Sequence, residues 1–193
     1  MGPSLELDVH FGAVSCLAVG VDKEFTVQPE DGPRHVVRTA LVAARVRHRI
    51  TAGEGSRMAF CYLDPASARE RACRRLTSGT AALATDHEHE REPVSRAALL
   101  DPDTPVRDVR RWLDLVGEDG LPGERDPRVR QATGRLSEPS GQRLSATEPA
   151  ADVGLSVSAF LRLFRAETGT TLRRYRMWTR MVRMATLLEK WPD

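Results

Sequence analysis

The side chains of this sequence best arranged for a chemical task lie in residues 154–169. Ser158, Arg162 and Arg165 recur at helical steps of three and four, with Leu161 beside them and Ser156 just ahead. Small hydroxyl side chains let a helix backbone approach a duplex closely, and guanidinium groups pair with phosphate or with the acceptor edge of guanine. Leu161 offers methyl groups of the kind that meet a thymine methyl. A solvated amphipathic helix carries the same residue types, so the surrounding elements decide between the two readings.

Ser156 is placed to cap a helix over 156–168, and Gly169 supplies a left-handed residue to end it. Phe160, Leu163 and Phe164 fall on the side opposite the arginines and are the expected core contacts. Upstream, Ser145-Ala146-Thr147-Glu148 reads as a capping box for a helix reaching Val153, after which Gly154 makes a turn. Pro149 falls near the start of that helix and removes one backbone donor. Asp126-Pro127 starts an earlier helix that continues to Leu136, and residues 137–143 read as loop.

Downstream, the sequence predicts its longest helix over 172–190. Tyr175, Trp178, Val182 and Ala185 form one expected buried face, and Arg173, Arg176, Arg180 and Arg183 form a row suited to phosphate contacts. Met177, Met181, Met184 and Leu188 make a third, apolar strip. The whole chain of 193 residues is nearly neutral at +2, yet residues 155–193 hold eight basic side chains against three acidic ones. That asymmetry fits a segment that meets a polyanion.

The run Leu155-Ser156 to Phe164-Arg165, followed by Glu167-Thr168-Gly169, Leu172-Arg173-Arg174-Tyr175, Arg180 and Ala185, resembles the first helix-turn-helix and connecting helix of AraC/XylS-type transcriptional regulators. The resemblance is dense over 126–188 and fainter over the N-terminal half. It implies that 156–168 is a recognition helix for the major groove of double-stranded DNA. The DNA-facing residues it implies are Ser156, Ser158, Leu161, Arg162, Arg165, Arg173, Arg176 and Arg180. Two departures stand out: Pro149 where the family usually has a bulky aliphatic residue, and Leu161 where a polar base reader is common. The sequence stops at Trp191-Pro192-Asp193, where the second helix-turn-helix of the family would begin, so a DNA-binding domain truncated to one reading head is expected. The alternative is a truncated ligand-binding or interaction protein without independent DNA binding.

The N-terminal residues show short β-branched runs at 5–11, 13–19, 24–27, 36–42 and 58–62, with turns at Asp31-Gly32-Pro33 and Gly53-Glu54-Gly55-Ser56. Residues 10–27, 40–50 and 62–67 resemble the cupin-like domain that precedes the helix-turn-helix in many members of the family. Asp64-Pro65 is expected to start a helix running to Leu76, and 94–100 and Val106–Val116 follow as short helices. The expected fold is therefore α+β, a small cupin-like β-barrel followed by an all-α helix-turn-helix domain. Its divisions are a sensing and dimerisation domain at 1–82, a linker with short helices at 83–125 and a partial DNA-binding domain at 126–193.

Metal-binding cupins carry two histidines one residue apart on a strand, and here His10 stands alone at such a spacing, with His35 and His48 elsewhere. No metal and no cofactor are expected. His87 and His89 alternate, but in the charge-dense run Asp86-His87-Glu88-His89-Glu90 they read as solvated linker. Cys16, Cys61 and Cys73 form no disulfide framework and fit a reducing, cytoplasmic setting. No nucleophile with its base, acid–base pair or phosphate loop stands out, so no catalytic residues are assigned and an enzyme is not expected. The expected partners are double-stranded DNA, a second copy or a full-length relative as dimer partner, and a small-molecule effector, with no membrane.

Overall fold

The computed structural model describes residues 7–101, 103–117 and 126–188. The chain divides into two compact units, Met1–Pro122 and Gly123–Asp193.

Among the described residues the first unit holds nine strands: β1 (Leu7–His10), β2 (Ser15–Gly20), β3 (Phe25–Pro29), β4 (His35–Val37), β5 (Thr39–Val42), β6 (His48–Ala52), β7 (Met58–Leu63), β8 (Ser78–Gly79) and β9 (Leu83–Thr85). They form two antiparallel sheets, one in the order β1-β6-β3-β4 and the other β7-β2-β5-β9-β8. The expected run at 36–42 is two strands, because the chain passes from one sheet to the other at Arg38. The Arg38 guanidinium anchors that crossing by donating to the Val21 carbonyl at 2.8 Å. The two sheets share no described strand, so the unit is an open two-sheet stack and not the closed barrel expected from the sequence.

Alternation along β2 sorts the core into two layers. Leu17 and Val19 point to one side and Ala18 to the other, and all three are fully buried. Ala18 joins Phe25, Val27, Ala40, Val42 and Ile50 between the sheets. Leu17, Val19 and Leu41 meet Cys73, Ala97, Trp112 and Val116 from the helices. Those helices are α1 (Ala68–Arg75), α2 (Arg91–Ala97) and α3 (Val106–Val116), the last over the residues its apolar stripe predicts.

Two expectations change here. Residues 83–85 are a strand paired with β5, and α2 and α3 complete the core of the first unit, so the structure has no break at 82 and no free linker through Val116. The helix after Asp64 starts later than expected: Ser67 is its N-cap, accepting from Glu70 N at 3.2 Å, while Asp64 accepts from Ala66 N in the turn before it.

The second unit holds α4 (Pro127–Ser137), a 3₁₀ turn (Ser140–Arg143), α5 (Thr147–Asp152), α6 (Val157–Thr168) and α7 (Leu172–Leu188). Asp126 caps α4 through Arg128 N, as its position ahead of proline predicts. The core consists of Val129, Ala132 and Leu136 from α4, Ala150 from α5, Phe160 and Phe164 from α6, and Leu172 and Tyr175 from α7. Phe164 stands edge-on to Tyr175 with ring centroids 5.5 Å apart, and 5.8 Å from Phe160.

Candidate nucleic-acid interface

The turn before α6 and the turn after it are set by single residues. Gly154 has φ 68° and Gly169 has φ 66°, a region where a side chain is strained. Between them the Ser156 hydroxyl accepts from Ala159 N at 3.3 Å, closing the first turn of α6. The Thr168 hydroxyl donates to the Phe164 carbonyl at 2.7 Å near its end. These fixings and the two buried phenylalanines define which way the rest of the helix faces.

That outward face carries the residues singled out from the sequence. Ser156, Ser158, Leu161, Arg162 and Arg165 are all exposed, with Val157 and Ala166 between them. The one acid of the helix, Glu167, is half-buried and accepts from Asp126 N at 3.2 Å, so its carboxylate is engaged at the start of α4. The charges left on the exposed face of α6 are the two guanidinium groups. A helix with that face presents donors and methyl groups without a local anion, the chemistry that base edges and phosphates require.

Helix α5 is short, and its start differs from the expected capping box. Glu148 reaches back to Ser145 N at 2.7 Å, but the Ser145 hydroxyl donates to the same carboxylate and caps no amide. Ala146 stands at the N-cap. Pro149 is buried in the first turn, where a backbone amide has no intrahelical acceptor, so its missing N–H costs the helix nothing there. Arg135 of α4 and Asp152 at the end of α5 form an ion pair that ties the two helices together.

On α7, Arg173, Arg174, Arg176 and Arg180 with Thr171 and Met177 line an open groove of about 600 Å³. Arg173 and Arg180 are exposed and Arg176 is half-buried. Arg173, Arg176 and Arg180 are the expected phosphate contacts; Arg174 joins them in the groove although its one-residue offset from Arg173 takes it off the i, i+3, i+7 row. Burial along α7 is shorter than predicted. Leu172, Tyr175 and Thr179 are buried, but beyond them Val182 is 43% exposed and Ala185 is exposed as well. Met177, Met181 and Met184 are 49%, 54% and 57% exposed.

The histidines are placed differently from their sequence reading. His87 is 2% exposed: its Nε2–H donates to the Val116 carbonyl at 3.0 Å and its Nδ1 accepts from His89 N at 3.2 Å. Burial pushes its pKa below the usual histidine range. It is a structural post between β9 and α3 and not part of a solvated linker. His10 finds a neighbour across the sheet, because the register of β1 with β6 sets it opposite His48. Among the described residues, no group of three or more His, Cys, Asp or Glu side chains forms a metal-binding cluster. The three thiols are free, and burial pushes Cys16 and Cys73 up to about 12 and Cys61 to about 11. No described helix is long and apolar enough to cross a membrane.

No family model and no curated protein sequence matches the chain. Among solved structures, ToxT from Vibrio cholerae is similar at a TM-score of 0.49 and 8% identity, with 100% of this chain covered and 81% of that one. Wild-type ToxT from Vibrio cholerae strain SCE256 with an unsaturated fatty acid bound is similar at a TM-score of 0.49 and 6% identity, covering 100% of this chain and 78% of that one. At these scores and identities the likeness assigns no function.

Proposed function

We propose that this chain is a DNA-binding transcriptional regulator of AraC/XylS type, with α5 and α6 as a helix-turn-helix and α6 as the helix that enters the major groove. The observation that carries this reading is the outward face of α6. Ser158, Leu161, Arg162 and Arg165 are exposed together, while Phe160 and Phe164 fix the opposite side in the core. Arg162 and Arg165 read or approach bases, and Ser156 serves first as the cap that orients them. Arg173, Arg176 and Arg180 hold phosphates along the groove edge, giving affinity without sequence information. In this reading residues 126–193 form the DNA-binding part, while the two-sheet unit senses a small molecule and joins two copies.

Fluorescence anisotropy of a labelled duplex against rising KCl tests the electrostatic half of this reading. Each phosphate neutralised contributes about −0.9 to the slope of log K against log salt. Replacing Arg173 or Arg180 with alanine is expected to flatten the slope by roughly that amount. A slope unchanged in both variants contradicts the assignment of these residues to phosphate.

The exposed methionines favour a second reading, an interaction protein whose α7 faces another polypeptide. Exposed methionine makes adaptable contact surface, and DNA has little use for it. Full duplex affinity in a Met181→Ser/Met184→Ser variant separates the two roles of the helix, since these two side chains lie outside the arginine groove and serve a protein contact.

A further inference from the structure

A cavity of about 280 Å³ lies between the two sheets, with Ile50 of β6, Phe60 of β7 and the ring of Phe11 among its walls. It is at the small end of ligand pockets, roughly 300–1,000 Å³, and its polar groups are few. Among the described residues no lysine, arginine or carboxylate lines it. His10 and His48 do, with ring centroids 4.4 Å apart and planes tilted by 51°.

The hydrogen bonds of these two rings settle where their protons are. His10 Nδ1 is 2.8 Å from the Asp8 carbonyl, and His48 Nδ1 is 2.8 Å from the Val46 carbonyl. A carbonyl only accepts, so each Nδ1 carries hydrogen and each neutral ring keeps its lone pair on Nε2. No hydrogen bond among the described residues reaches either Nε2. His10 is half-buried with access to water; His48 is 4% exposed as a residue, yet its Nε2 is not fully enclosed, so in a ring that lines the cavity this nitrogen is an acceptor open to a donor.

We propose that this cavity binds an uncharged, mainly apolar molecule of about bicyclic size whose hydroxyl donates a hydrogen bond to Nε2 of His48. A carboxylate is disfavoured because the lining supplies no fixed cation to compensate it in apolar surroundings. Burial, and secondarily the neighbouring His10, hold His48 below the usual histidine range, so the ring offers an acceptor and not a charge. The other titratable groups facing the cavity are Cys16, pushed up to about 12 by burial, and Tyr62, raised for the same reason, and neither changes charge near neutral pH. The charged pair on the same two strands, Arg49 with Asp8, is exposed to solvent. This gives a chemical class to the effector of the proposed function. Because ligand binding is read without DNA, failure here and failure of DNA binding are separate results.

Calorimetric titration of the full chain at pH 8 with naphthalene, 1-naphthol and 1-naphthoate tests the assignment on one ring system. The expected order is 1-naphthol tighter than naphthalene by roughly three- to tenfold, the worth of one net hydrogen bond, with 1-naphthoate weakest. His48→Phe is expected to bring 1-naphthol down to the level of naphthalene while naphthalene still binds. In wild-type protein labelled with ¹⁵N at histidine, the Nε2 resonance of His48 is expected to move with 1-naphthol and not with naphthalene, which keeps the test independent of how the variant folds. Below the His48 pKa the ring loses its acceptor, so the advantage of 1-naphthol shrinks as pH falls. Tightest binding by 1-naphthoate at pH 8, equal binding of 1-naphthol and naphthalene, no binding by either, or a stationary His48 resonance would each overturn the proposal.

Discussion

Single residues carry three separable kinds of information in this chain: orientation, charge and proton balance. Ser156 orients, and replacing it with alanine is expected to cost about 1 kcal/mol of stability by freeing the Ala159 amide, measured by urea unfolding. His87 carries the proton balance. Its folded pKa lies below the ordinary 6.5, so the unfolded chain binds more protons as pH falls through that value. Stability is therefore expected to decline from about pH 6.5 downward and to hold above it, and a His87→Gln variant is expected to show a flatter pH profile by thermal unfolding. The burial of His87 was not legible in the sequence, because it is flanked directly by Asp86 and Glu88, with another histidine and Glu90 following. Only the tertiary arrival of Thr39 and Val116 at its backbone and ring removes it from water. The pairing of His10 with His48 was hidden for a related reason: it depends on strand register, which no local spacing encodes.

At the scale of elements, legibility followed periodicity. The stripe Val106, Val109, Trp112, Leu113 and Val116 predicts α3 to its end residues, and the two glycines bracket α6 as their φ values require. Strands β8 and β9 are two and three residues long, too short for any alternation to show, and exist through pairing with each other and with β5. The same strands turn what reads as a linker into part of the first unit. Trp112 is the measure of that change: it is 6% exposed in the core and donates from Nε1 to the Pro93 carbonyl at 2.8 Å. Trp112→Ala is expected to destabilise this unit by roughly 3–5 kcal/mol, whereas a tryptophan on a free linker would cost nothing measurable on unfolding. In α7 the periodic pattern overstated burial, because an amphipathic sequence fixes which face is apolar but not whether a neighbour is there to cover it.

At the scale of the molecule, the chain joins a two-sheet unit with its own cavity to a small helical unit with its own core. In the proposed function two copies act together, with their α6 helices on half-sites about one helical turn, roughly 34 Å, apart. The most direct measurement of that function is selection from a pool of randomised duplexes with the full chain, in parallel with its Arg162→Ala variant. The proposed reading is expected to give an enriched motif in the wild-type selection, with one or two positions losing their preference in the variant at a cost of about 1–3 kcal/mol for the best site. No enrichment at low salt, or a motif identical in both proteins, would contradict α6 as the reading helix.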